Sequence, residues 1–242
     1  VNKRSDIPGY SAGSSSRASS KSGTPPWIWI GVAAVVLVAL GIALLLSVGG
    51  GSSDLTVGQV QVSGSVLTPY QADQQDPSAG KPAPQVTGTD FAGAPLEIVN
   101  NGQPKVLIFL AHWCPVCQRE VPVLVAWSEA GGNTDGVEVI GVATGIDRTR
   151  SNWPPGDWLR NERWPWPTLV DDADSRTGSV FGLTSFPYFV AIDAQGNVVE
   201  RVSGEIGGPA FEALIDAART GVPTTAAGGG GASTPVELPP VG

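Results

Sequence analysis

The stretch Lys105–Ala111 contains Val-Leu-Ile-Phe-Leu, a continuous apolar run that suits a strand buried on both faces. A helical pattern follows from about Pro115 to Ala130, with proline in its first turn and Gly131-Gly132 as its stop. Val137–Ala143 repeats the buried-strand pattern. Pro155–Arg163 reads as a short helix, Thr168–Val170 as a short strand and Asp174–Phe181 as a helical turn. Tyr188–Asp193 and Val198–Ser203 flank Ala194-Gln195-Gly196-Asn197, which is a β-hairpin signal. Pro209–Thr220 closes the series as an amphipathic helix, with Phe211, Leu214, Ile215 and Ala218 at helical spacing. Strand, helix and strand followed by hairpin and helix predict an α/β fold, a mixed central sheet with helices on both faces.

The flanking sequence is patterned differently. Residues 1–26 are rich in Ser and Gly and carry Lys3, Arg4, Arg17 and Lys21 against Asp6, a composition that predicts a disordered tail. Trp27–Val48 is uncharged over its whole length and, at about 1.5 Å per residue, long enough for a roughly 30 Å hydrocarbon core. Trp27 and Trp29 suit an interface, and the preceding cations place residues 1–26 in the cytoplasm and the rest across the membrane. A cleaved signal peptide has an apolar region of about 7–15 residues and a small-residue cleavage site. This run is longer and Leu46-Ser47-Val48 is a poor site, so one uncleaved N-terminal transmembrane helix is expected. Residues 49–80 are then a flexible linker with a short strand near Val57–Val62, residues 81–222 the globular domain, and 223–242 a disordered C-terminal tail containing Gly228–Gly231.

Composition narrows the chemistry. Of 242 residues 41% are apolar, enough for a core, and the net charge is −8 although the N-terminal tail is basic. An acidic main body argues against nucleic acid as a partner. The two cysteines are Cys114 and Cys117, and His112 is the only histidine, so a zinc site lacks its usual Cys and His ligands and no metal is expected. A C-x-x-C after a buried strand and at the start of a helix is a redox arrangement, because a helix N-terminus favours the thiolate that attacks a disulfide. Cys114 is expected to attack and Cys117 to resolve the mixed disulfide. A structural disulfide or two inert thiols is the bland alternative. His112 either assists thiolate formation or is a solvated loop residue. Trp113 either shields the disulfide and docks partners or simply packs. Trp153, Trp158, Trp164 and Trp166 form either a partner-binding rim or satellite core packing, the latter being the better reading.

The segment Ala111-His112-Trp113-Cys114-Pro115-Val116-Cys117-Gln118-Arg119-Glu120-Val121-Pro122 resembles the active-site segment of the thioredoxin superfamily. It is most similar to the membrane-anchored TlpA/ResA-like branch, whose signature is close to W-C-x-P-C-x-x-E-x-P. The resemblance covers about residues 81–220 and implies a thioredoxin-like fold. It also implies that Pro187, in Phe186-Pro187-Tyr188-Phe189, is cis and faces Cys114, with the Phe186 backbone pairing to a bound client strand. Two positions depart from the pattern. Proline follows the first cysteine here and Val116 precedes the second, and Ser185 stands where relatives have glycine. Val116 brings no positive charge, unlike the histidine of strongly oxidising relatives, which favours a reductant or a moderate-potential exchanger. Glu120 matches the family's glutamate; it either shuttles protons for the thiols or is an acidic side chain favoured by the helix N-terminus.

The resulting expectation is a membrane-anchored, extracytoplasmic thiol–disulfide oxidoreductase whose only redox group is the Cys114–Cys117 disulfide. Its expected partners are exported proteins with disulfides and a membrane electron donor or acceptor. The alternatives are a disulfide-forming oxidase of the same fold, a peroxiredoxin-like peroxidase and a non-catalytic binding module. A peroxidase would want a hydroxyl residue three positions before the reactive cysteine, where Ala111 stands.

Overall fold

The structure is a computed structural model and describes residues 56–224. Three short strands open it: β1 (Gln61–Ser63), β2 (Gln85–Thr89) and β3 (Pro95–Ile98), paired antiparallel in that order. Then follow β4 (Lys105–Leu110), α1 (Pro115–Glu129), β5 (Glu138–Ala143), α2 (Pro155–Asn161), β6 (Thr168–Val170), α3 (Arg176–Val180), β7 (Tyr188–Ile192), β8 (Val198–Ser203) and α4 (Gly207–Thr220). The central sheet has the order β6-β5-β4-β7-β8; β4, β5 and β6 run parallel, while β7 is antiparallel to both β4 and β8. Strand β4 lies in the middle with all six residues buried, which is why its sequence is continuously apolar after Lys105 rather than alternating.

Successive residues of β4 point to opposite faces, and the core divides accordingly. Val106, Ile108 and Leu110 join Val121 and Leu124 of α1 and Phe211, Leu214 and Ile215 of α4. Leu107 and Phe109 join Val60, Leu67, Tyr70, Val86, Ile98 and Phe181. Each such side chain contributes roughly 1.5–3 kcal/mol on burial. Three tryptophans of the Trp-rich segment belong to the first cluster: Trp158 is buried, and Trp166 packs on Trp164 at 4.7 Å and on Phe211 at 5.5 Å between ring centroids. Core packing is what Trp158, Trp164 and Trp166 provide, while Trp153 stands apart from this cluster, against His112 at 5.9 Å between ring centroids. Helix α4 ends at Gly221, whose φ of 71° is the left-handed conformation that glycine adopts without strain.

The expected linker of 49–80 is corrected over its described part. Residues 56–80 are docked on the domain: Gly58, Leu67 and Tyr70 donate backbone N–H groups to Asp171, Val180 and Gly182, each at 2.9 Å. Val60, Leu67 and Tyr70 are buried. Arg201 of β8 is buried and donates to both carboxylate oxygens of Asp76, with Nε to Oδ2 at 2.7 Å, and to the carbonyls of Thr68 at 2.9 Å and Phe181 at 3.1 Å. The domain therefore begins no later than residue 56 rather than at 81, and it carries β2 and β3, which the sequence pattern did not predict. Helices do lie on both faces, but the second has only the five-residue α3, and residues 56–98 complete its cover. At the other end Thr224 donates its N–H and hydroxyl to Glu200, so structure persists two residues past the expected boundary of 222. The expected tail 1–26, transmembrane helix 27–48 and most of the C-terminal tail lie outside the described residues. Among the described residues no helix is long and apolar enough to cross a membrane.

Candidate active site

The central strand β4 ends at Leu110, and α1 begins five residues later. Cys114 is the N-cap of α1: its φ and ψ of −75° and 119° are extended, its N–H donates to Ala111 at 3.0 Å, and its carbonyl accepts the first helical bond from Gln118. Pro115 occupies the first turn, where no N–H is required. Cys117, one turn in, faces the core. Cys114 is 7% exposed and Cys117 0%, and the two thiols are free and not bonded to each other. Burial, above all, pushes the Cys117 thiol far above its ordinary range; a backbone hydrogen bond with Ala111 opposes this, while Cys114 and Glu120 reinforce it.

The second wall is the loop before β7. The Phe186–Pro187 peptide is cis, as the resemblance implied, and Pro187 is buried. The Cys114 thiol lies 3.9 Å from the Phe186 carbonyl oxygen, the outer limit for a sulfur donor. Trp113 stands between the walls: its indole N–H donates to Gly145 at 2.7 Å, and its ring meets Phe186 edge-on at 6.0 Å. Cys114, Cys117, Trp113, Phe186 and Pro187 are thus brought together. Ser185 is exposed ahead of the cis peptide and Val116 is half-buried beside the pair.

Glu120 points inward, and its Oε1 accepts the N–H groups of Ile206 at 3.2 Å and Gly207 at 2.9 Å. It therefore caps a helix N-terminus, but that of α4 rather than its own. Burial raises its pKa; the two backbone donors oppose the shift and Glu205 adds to it. Nearby, Arg119 pairs with Glu205 at 2.7 Å and 3.1 Å, linking α1 to the segment before α4. Among the described residues no group of His, Cys, Asp and Glu is placed to hold a metal ion.

The structure corrects the reading of His112 as a solvated loop residue. The ring is buried, its Nδ1 lies 2.6 Å from the Ser151 carbonyl, and its Nε2 accepts the Asp147 N–H at 3.2 Å. These partners require the neutral tautomer with its proton on Nδ1. Burial lowers the His112 pKa, against the opposing pull of the Ser151 carbonyl. His112 fastens the loop 145–153 to the active-site turn. That loop is the element sequence reasoning missed. It carries Arg150, whose guanidinium carbon lies 4.1 Å from the centre of the Trp113 ring, and Arg148, 5.9 Å from that of Trp153. Two arginines spaced two apart beside a tryptophan were the signal that marked it.

Comparison with known proteins places these features in context. The family model described as Redoxin matches residues 78–214. The chain is 28% identical over 153 residues to thiol-disulfide oxidoreductase ResA of Bacillus thuringiensis (strain Al Hakam), an alignment covering 60% of this chain and 83% of that protein. It is 26% identical over 198 residues to methylamine utilization protein MauD of Paracoccus denitrificans, covering 80% and 86%. Among solved structures, StoA from Bacillus subtilis superposes with a TM-score of 0.47 at 19% identity, covering 56% of this chain and 98% of that one.

Proposed function

The chain belongs to the Redoxin family and is a TlpA/ResA-like thiol–disulfide oxidoreductase of the thioredoxin superfamily, and from that premise we propose that it reduces or exchanges disulfides of exported proteins through Cys114 and Cys117. The observation that carries this reading is the asymmetry of the pair: both thiols are buried, but Cys114 caps the helix against the cis-Pro187 loop and keeps 7% of its surface exposed, whereas Cys117 lies fully covered one turn behind it. In the first step the Cys114 thiolate attacks one sulfur of a client disulfide, forming a mixed disulfide and releasing the other client sulfur as a thiolate. Cys117 then loses its proton and attacks Cys114 Sγ, closing the Cys114–Cys117 disulfide and releasing the second client thiolate. Two electrons pass to the client, and a dithiol donor at the membrane returns them to the pair.

Burial holds Cys117 protonated, so the second step needs a base. Glu120, the buried carboxylate that bears on the Cys117 thiol, is the proposed acceptor. Trp113, Phe186 and Pro187 form the docking surface, with the Phe186 carbonyl directed to the client backbone. The reaction needs no further cofactor, because the electron pair resides in the sulfur–sulfur bond. The extracytoplasmic location, and the single span over 27–48 with a cytoplasmic N-terminus, rest on the uncharged run and the cations before it.

Replacing Cys117 with serine removes the resolving thiol, so exported clients accumulate as mixed disulfides on Cys114, seen as reducible high-mass adducts. Their absence, or full activity in Cys114→Ser, overturns the reading. Impermeant alkylation of the pair in intact cells reports location and resting state together: labelling puts the domain outside, and predominantly reduced thiols support a reductase over an oxidase.

A further inference from the structure

The loop 145–153 is built, not merely connected. Its backbone is tied to His112 at Asp147 and Ser151, Asn152 donates its amide to the His112 carbonyl at 3.1 Å, and Thr149 donates N–H and hydroxyl to Asp147 at 2.9 and 2.7 Å. Between and beside these ties it exposes Arg148 and Arg150, each over an indole ring. Neither forms an ion pair among the described residues. Of the carboxylates near the cysteines, Glu205 is paired with Arg119 and Glu120 is buried, while Asp147, hydrogen-bonded by Thr149, keeps its charge and interacts with Arg150 from the same loop. Arg148 and Arg150 outnumber that one carboxylate, so the loop beside Cys114 is net cationic on a chain whose net charge is −8.

We propose that Arg150, stacked on Trp113 beside Cys114, selects client polypeptides that carry a carboxylate next to the cysteine under attack. The proposal rests on the exchange reaction given above and adds its specificity. A guanidinium lying over an indole keeps its N–H edges directed to solvent, and those edges form the fork that matches a carboxylate. The indole is itself fixed by Gly145 and Phe186, so the cation is held in place before the client arrives. A client sulfur bonded to Cys114 carries its neighbouring residues past Trp113, within reach of that fork. Arg148, over Trp153, extends the same positive edge along the loop.

The test uses the full chain and three disulfide-linked peptides identical except for Glu, Gln or Lys beside the cysteine. The wild type is expected to exchange with the Glu peptide about 10-fold faster than with the Gln peptide at low concentration, through KM rather than kcat, and with the Lys peptide slowest. High salt should compress the ratio. In Arg150→Gln the Glu-to-Gln ratio should fall to within about 2-fold, while Arg150→Lys, which keeps the charge without the fork, should fall between. Lys81→Gln, an equal loss of charge at the opposite end of the sheet, should keep the wild-type ratio. Equal rates on Glu and Gln peptides in the wild type, or an unchanged ratio in Arg150→Gln, overturn the proposal alone. No exchange with any of the three peptides overturns the exchange reading as well.

Discussion

The two faces of the central sheet are closed by different means. On the face that carries Cys117, α1 and α4 lay regular apolar stripes over Val106, Ile108 and Leu110, and the contacts repeat with the helical period. On the opposite face the cover is irregular: residues 56–98 and α3 contribute scattered apolar side chains, and the centre of the attachment is ionic. Arg201 is held there by Asp76, by the carbonyls of Thr68 and Phe181 and by the Tyr188 hydroxyl at 3.1 Å, with its guanidinium 5.4 Å from the Tyr70 ring centre. A stripe tolerates change in pieces. A satisfied buried charge does not, because removing one partner strands the other. The helix face is therefore free to carry reactive groups, while the opposite face holds the N-terminal segment in one position.

The largest separation between the faces is expected in Cys114→Ser. Exchange should fall to background in a peptide-disulfide assay. Stability should stay within about 1 kcal/mol of wild type, because serine is a favoured N-cap and Cys114 makes no side-chain cap bond of its own. A loss of folding in this variant would mean that the site is part of the scaffold, and the contrast would fail.

Arg201→Met reverses the pattern. It should cost about 3–5 kcal/mol in urea unfolding, since Asp76 is left without its partner in a half-buried position. Adding Asp76→Leu should restore much of that loss, as replacing both ions removes the stranded charge. Limited proteolysis should cut residues 56–80 in the single variant before it reaches the sheet. Should Arg201→Met prove neutral, the ionic attachment is ornamental and Val60, Leu67 and Tyr70 alone hold the segment.

The same contrast explains what the sequence made legible. Strand β4, helices α1 and α4 and the β7–β8 hairpin were readable because each repeats a period or a turn signal within a few residues. The attachment of 56–80 was not, because its key pair, Asp76 and Arg201, lies 125 residues apart and neither residue has a local pattern. Strands β2 and β3 were missed for a related reason. They bury only Val86 and Ile98, and Gly88 interrupts β2. At the site, the cysteine spacing with its flanking strand and helix pointed to the redox pair, and the family resemblance supplied cis-Pro187. His112 was misread because its partners, Ser151 and Asp147, come from a loop more than thirty residues later.

Glu120 blurs the contrast, being an ionisable group buried among the apolar contacts of the helix face, and it yields the smallest predicted effect. Its folded pKa is raised above the ordinary 4.5, chiefly by burial. A raised carboxylate pKa means that the folded state holds its proton more tightly than the unfolded chain does. The stabilisation this gives is complete below the unfolded value and fades as pH climbs through the folded one. Glu120→Gln keeps an oxygen for the Ile206 and Gly207 N–H groups and removes the titration. Urea midpoints measured from pH 4 upward should show the wild type losing ground to the variant as pH rises, with the two no more than about 1 kcal/mol apart at neutrality. If the curves run parallel, or the wild type gains with rising pH, the capping bonds outweigh desolvation, and Glu120 is an ionised cap rather than a proton acceptor poised for Cys117.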